Sequence, residues 1–202
     1  TEYMVIMLVT PVGPYFKEGF KPTKVCLSRE YDRVAPKGTG SIKVGGNYAA
    51  SLVAGEKAHE LGYSVMLYLD PKEKKYLDEC GPANFYAIKD GKYITPASDS
   101  ILPSITRRSL VTVAADMLDM KVDERPVKIS EVMNGDFVEA GLCGTAAVIS
   151  PVGKITYDDE TVELSGMEKP GPVMTKLRET LTGIQSGEIE GPEGWVHEIK
   201  VD

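Results

Sequence analysis

The stretch GSIKVGGNYAAS, residues 40 to 51, sets one lysine among small residues, then two glycines, an asparagine and a tyrosine. By residue type alone Lys43 reads as a surface lysine, because lysine is almost never fully buried. Its neighbours point elsewhere. Gly45 and Gly46 remove side chains where another group must approach the backbone closely. Tyr48 stands near the start of an expected helix. A lysine held in a partly dry cavity loses basicity and becomes a nucleophile toward an aldehyde. The product is a Schiff base, the linkage that holds pyridoxal phosphate.

Such a site needs three further parts. A carboxylate must face the pyridine nitrogen, a donor must reach the ring oxygen, and an anion cradle must hold the phosphate, best at a helix N-terminus. The chain offers each. Glu79, in YLDECGPANF, falls on a strand among turn residues. Tyr48 can reach the ring oxygen. The helix entry LPSITRRS offers Ser104, Ile105 and Thr106, and CGTAAV offers Gly144 and Thr145. An unpaired glutamate in a buried strand costs several kcal/mol, so a buried Glu79 must have partners; as a plain surface carboxylate it would need none.

The elements that must position these residues follow from pattern. Met4 to Val9 read as a buried strand closed by the turn TPVGPY, and Thr23 to Ser28 as a second strand. A polar loop, REYDRVAPKGTGS, leads to a helix from Asn47 to Leu61 that Gly62 ends. SVMLYLD is a strand. YLDECGPANFYAIKDGKYITP gives two or three strands with a turn at Asp90-Gly91. SITRRSLVTVAADMLDM is an amphipathic helix, KVDERPVKI a strand, and SEVMNGDFVEA a short helix with Ser130 as N-cap. GTAAVISPVGKITYDDETVEL supplies more strands, and PGPVMTKLRETLTGIQSG the last helix. Grouped strands between separate helices, without regular alternation, indicate an α+β fold.

Composition bounds the function. The 202 residues carry 42% hydrophobic and 26% charged side chains, the balance of a globular chain with a real core. A net charge of −7 and no basic run argue against a nucleic-acid surface. Cys26, Cys80 and Cys143 are odd in number and lack metal-site spacing, so neither a disulfide framework nor a metal site is expected. A reducing cytoplasm fits such thiols. No apolar run is long enough to span a bilayer. The chain opens inside a strand and reads as one piece of a longer protein.

The motifs PVGPYF, GTGSIKVGGNYAASL, LDECGPANF, ILPSITRRS and CGTAAVISPV, in this order, resemble branched-chain amino-acid aminotransferases of the fold-type IV pyridoxal-phosphate group. The resemblance covers nearly the whole chain. It implies an α+β domain with a mixed sheet curled toward a barrel and surrounded by helices. It implies an amino transfer from leucine, isoleucine or valine to 2-oxoglutarate by a ping-pong route, in a homodimer. By resemblance Lys43 forms the Schiff base and shuttles the proton, Tyr48 bonds the ring oxygen, and Glu79 faces the pyridine nitrogen. Ile105 and Thr106 match phosphate-binding residues. Thr145 and Ala146 match the turn at the phosphate and the substrate carboxylate. Arg33 matches an arginine near the cofactor.

The same resemblance divides the chain into an interdomain strand region, residues 1–27, and a cofactor-binding domain, residues 28–202. A smaller N-terminal domain, which in the family supplies a phosphate arginine and much of the apolar substrate pocket, has no counterpart here. Other fold-type IV activities (a D-amino-acid aminotransferase or an aminodeoxychorismate lyase) and a non-catalytic remnant stay open as alternatives. Pro82 stands where many relatives have threonine, so the hydrogen bonding near Glu79 must differ. Ala147 and Ser150 replace the two cysteines of the animal enzymes' thiol switch.

Overall fold

The protein is described by a computed structural model covering residues 2–11 and 19–200. Its strands are β1 (Thr23–Ser28), β2 (Val65–Leu69), β3 (Leu77–Cys80), β4 (Asn84–Lys89), β5 (Lys92–Pro96), β6 (Val122–Arg125), β7 (Glu139–Gly144), β8 (Val148–Tyr157) and β9 (Glu160–Glu163). Its α-helices are α1 (Gly45–Ala50), α2 (Leu52–Glu60), α3 (Ile105–Thr112), α4 (Ile129–Met133) and α5 (Pro172–Ser186), and a π-helical turn, Val113–Met117, continues α3. Among the described residues these nine strands join one mixed sheet in the order β3-β2-β1-β8-β7-β4-β5-β6, with β9 on β8. The fold is α+β, as the grouped strands imply.

Parallel pairs occur at β1–β2, β1–β8 and β5–β6. A parallel neighbour needs a long crossover; α1 and α2 make the one from β1 to β2, and α3 the one from β5 to β6. The β4–β5 pair is a hairpin whose two-residue turn puts both Asp90 (φ 50°) and Gly91 (φ 70°) in the left-handed region. That conformation matches the twist of the strands and selects Asp-Gly. The sheet curls until its ends approach. The Leu77 amide donates to the Val127 carbonyl at 2.8 Å, and Tyr76 bridges to Lys128 just past β6.

Alternation along β4 shows how the curled sheet divides its burial. Phe85 and Ala87 join the inner cluster with Leu67, Leu77, Leu142 and Ile155. Tyr86 and Ile88 face outward onto Leu110 of α3 and Met174, Leu177 and Leu181 of α5. Each such buried aliphatic side chain contributes about 1.5–3 kcal/mol. Helix α5 starts at Pro172, a residue preset for the first helical position. Its free amides at Val173 and Met174 donate to the two oxygens of buried Glu139, at 3.1 and 2.7 Å.

Four sequence expectations need correction. The helix expected over 47–61 begins earlier, at Gly45, and breaks at Ser51 into two. The N-cap of α4 is Lys128, whose amide donates to the Glu131 carboxylate at 2.9 Å, and Ser130 lies inside the helix. The strand expected at Met4 to Val9 does not form; these side chains are 80–90% exposed. Its apolar residues have the composition of a buried strand, but no described strand lies beside them to complete the ladder. The border expected after residue 27 cuts β1, which pairs on both sides. The turn TPVGPY and the motif PVGPYF lie largely outside the described residues.

Candidate active site

One cleft gathers the chemistry-bearing residues. Its lining includes Arg33, Lys43, Tyr48, Glu79, Ser104 and Thr145, and it encloses about 460 Å³ of empty space continuous with solvent. The residues come from the loop after β1, the start of α1, the end of β3, the entry to α3 and the turn after β7. Lys43 and Glu79 therefore share a wall-to-wall space although β2 lies between them in sequence.

The Lys43 loop is shaped by Asn47. This buried amide donates to the carbonyls of Thr39 and Ile42, at 2.8 and 2.9 Å, and accepts from the Thr39 hydroxyl at 2.6 Å. Asparagine is chosen here because one side chain must serve two carbonyls and a hydroxyl. Lys43 itself is exposed. The sheltered lysine expected from its small neighbours is not found: the cleft is open on the side where this loop stands, and nothing among the described residues covers it. Tyr48 is 39% exposed and lines the same mouth.

Glu79 is the opposite case, only 4% exposed. One oxygen accepts from the Leu102 amide at 3.0 Å and pairs with Arg33 Nη2 at 3.0 Å; the other accepts from Asn84 Nδ2 at 2.6 Å. Asn84 also donates to the Leu102 carbonyl. Burial pushes the Glu79 carboxyl up to about 7, against the downward pull of Arg33 and the Leu102 amide. Buried Arg33 further donates to the carbonyls of Gly40 and Ser100. The hydrogen bonds to Glu79 thus come from Asn84 and Leu102, and Pro82 lines the same cleft.

Not every expected site residue reaches the cleft. Ser104, the N-cap of α3, lines it, whereas Ile105, 67% exposed, and buried Thr106 do not. Thr145 lines it; Ala146, exposed beside it, does not. Sequence reasoning missed Asn47 and Asn84 as positioning groups, though both sit inside the quoted motifs. Cys143 contributes to the wall, but burial pushes its thiol up to about 12, which keeps it inert.

The donor set fits pyridoxal phosphate: an accessible amine, a phenol, a buried carboxylate and the hydroxyls of Ser104 and Thr145 around one space. Among the described residues no cluster of His, Cys, Asp and Glu is placed to hold a metal ion. No described helix is long and apolar enough to cross a membrane.

Comparison with known proteins bears on the family and the fold. The family model for amino-transferase class IV matches residues 1–155. The branched-chain-amino-acid aminotransferase of Haemophilus influenzae is 47% identical over 207 aligned residues, covering 100% of this chain and 59% of the relative. The solved branched-chain amino acid aminotransferase of Escherichia coli superposes with a TM-score of 0.80 at 28% identity, over 92% of this chain and 59% of that one. That of Thermobaculum terrenum, solved in its PLP holo-form, gives 0.71 at 32% identity over 85% and 53%. The chain thus spans about three-fifths of the length of the curated relative it matches.

Proposed function

The chain belongs to the class IV aminotransferase family, and from that membership we propose that it is the cofactor-binding part of a branched-chain amino-acid aminotransferase. The observation that carries the reading is the cleft in which Lys43 and Glu79 stand together with Tyr48, Ser104 and Thr145. The substrates are leucine, isoleucine or valine as amino donors and 2-oxoglutarate as acceptor. The complete protein is a homodimer that works in the cytoplasm.

When bound, pyridoxal phosphate supplies an aldehyde for an amine to condense with and a ring that accepts electrons. The residues of the chain do the rest. Lys43 anchors the cofactor through its amine and, once released, takes and returns the proton at the substrate α-carbon. Glu79 holds the proton at the ring nitrogen, so that charge developing on the ring is stabilised. Its raised affinity for protons suits a carboxylate that must share one with a pyridine. Tyr48 donates to the ring oxygen. The Ser104 and Thr145 hydroxyls, which line the cleft, would hold the phosphate, and the family resemblance adds Ile105 and Thr106 at the entry to α3, whose side chains do not line it. Thr145, with Ala146 beside it outside the lining, marks the turn that would meet the substrate carboxylate.

The interdomain region of this reading is the segment ahead of β1 and not residues 1–27, since that strand is paired on both sides. A covering domain would dry the mouth where Lys43 now stands exposed and thereby strengthen every charge interaction inside. The isolated chain accordingly retains cofactor weakly and turns over poorly.

Borohydride reduction tests the assignment. The chain incubated with pyridoxal phosphate should show a yellow absorbance that reduction removes, with the mass gain on Lys43. Lys43→Ala should lose both. Reduction that labels another lysine, or an unchanged yield in the variant, would overturn the role.

A further inference from the structure

Two loops that border the cleft hang on one buried side chain. Arg33, 6% exposed, donates through Nη2 to the Gly40 carbonyl at 3.0 Å and to the Ser100 carbonyl. Gly40 belongs to the loop that carries Lys43, and Ser100 to the loop that leads into α3. Glu79 Oε1 lies 3.0 Å from the same nitrogen. The loops also touch each other directly. A Cβ at buried Gly40 would fall on the Ser100 carbonyl group, 2.8 Å from its carbon. Glycine stands here because the backbone of the second loop occupies the space a side chain would need.

From these two points the backbone is held up to the groups that line the cleft. On one side the Ile42 amide donates to the Thr39 carbonyl at 2.9 Å, and Asn47 donates to the carbonyls of both, so the chain reaches Lys43 through a tight turn. On the other, the Leu102 amide donates to Glu79 at 3.0 Å and the Leu102 carbonyl accepts from Asn84 at 3.1 Å. That carbonyl also accepts from the Ser104 amide at 2.8 Å. Ser104 caps α3 and lines the cleft. A shift of Gly40 against Ser100 therefore becomes a shift of the Lys43 backbone against Ser104.

In pyridoxal phosphate the aldehyde and the phosphate arm leave neighbouring carbons of a rigid ring. The amine that meets the one and the cradle that holds the other must therefore keep a fixed separation. We propose that Arg33 and Gly40 are positioning residues that lock the Lys43 loop to the entry of α3, so that the amine meets the aldehyde of a cofactor whose phosphate is held at Ser104. This rests on the cofactor assignment above. Such a lock is worth having because orientation governs the rate of bond formation, and a misplacement of about 1 Å costs up to about a hundredfold.

The test compares two aldehydes, pyridoxal phosphate and pyridoxal. Each is incubated with the chain and reduced with borohydride at intervals, and the mass gain on Lys43 is followed. Pyridoxal lacks the phosphate, so the ratio of the two labelling rates reports the register between amine and cradle. Both carry the same ring nitrogen, so a change at Glu79 moves the two rates together and cancels. The unsubstituted chain should label faster with pyridoxal phosphate. Arg33→Lys keeps a cation beside Glu79 but ends short of the Nη2 position. Gly40→Ala keeps Arg33 and drives the loops apart. Each should lower the ratio by about tenfold. Urea unfolding shows which variants are folded, and where one of the two is not, the other decides. A ratio retained in a folded variant, with both rates lowered alike, marks a clamp for stability alone and overturns the inference, as do equal rates in the unsubstituted chain. A chain in which neither aldehyde labels Lys43 ends the cofactor assignment itself, whereas labelling whose ratio ignores Arg33 and Gly40 ends only their positioning role.

Discussion

The two sides of the cleft are built by opposite means. On the acid side, Glu79 is buried in a strand and held by Arg33, Asn84 and Leu102, from three other parts of the sequence. On the amine side, Lys43 is exposed on a loop, and the order there belongs to the backbone that Asn47 pins. The acid is therefore set before any cofactor arrives, whereas the amine is set only up to its Cα. A fixed acceptor and a swinging nucleophile suit chemistry in which one group never leaves the ring nitrogen and the other must attach, let go and carry a proton.

The contrast can be broken from the acid side first. Glu79→Ala strands the Arg33 guanidinium in the interior and should destabilise the chain by about 3–5 kcal/mol, read from urea unfolding. A cost below about 1 kcal/mol would mean that Arg33 relaxes into solvent and that the acid side is not preset. The pH dependence of stability sharpens the same point. The carboxyl of Glu79 rises from an ordinary 4.5 to about 7 on folding, so the folded state binds its proton more tightly. Its contribution is full below about 4.5 and fades as pH climbs through 7, by about 3 kcal/mol. Glu79→Gln should lack that slope; an identical slope in both would assign it to other groups.

Smaller effects are expected on the amine side. Asn47→Ala leaves two loop carbonyls without their donor and should cost roughly 1–3 kcal/mol, with slower attachment of cofactor at Lys43. Lys43→Ala should change the unfolding free energy by less than about 0.5 kcal/mol, because an exposed side chain with no partner carries little stability. A large loss there would show that Lys43 is packed, and the contrast would fail.

What could be read in the sequence divides along the same line. Local patterns were legible: β1 spans the expected residues, and Asp90-Gly91 turns the β4–β5 hairpin. Lys43, Tyr48, Glu79 and Thr145 share a cleft because the quoted motifs carry them. The partners of Glu79 were not legible. Arg33, Asn84 and Leu102 reach it from separate segments, and no local period links them. Asn47 read as the first residue of a helix and Asn84 as part of a stretch of strands and turns, and neither pattern marks the burial that both have here. Met4 to Val9 failed for the complementary reason: strand composition reports a wish for a partner, and only tertiary structure can grant one.

That apolar segment bears on how the chain behaves in a tube. Tyr3 to Val9 shows seven successive large apolar side chains to water. Among the described residues its peptide groups take part in no ladder. Such a ribbon is a template for copies of itself. Light scattering should climb with protein concentration while circular dichroism stays constant, and a lysine in place of Val5 should quench the effect without touching the cleft.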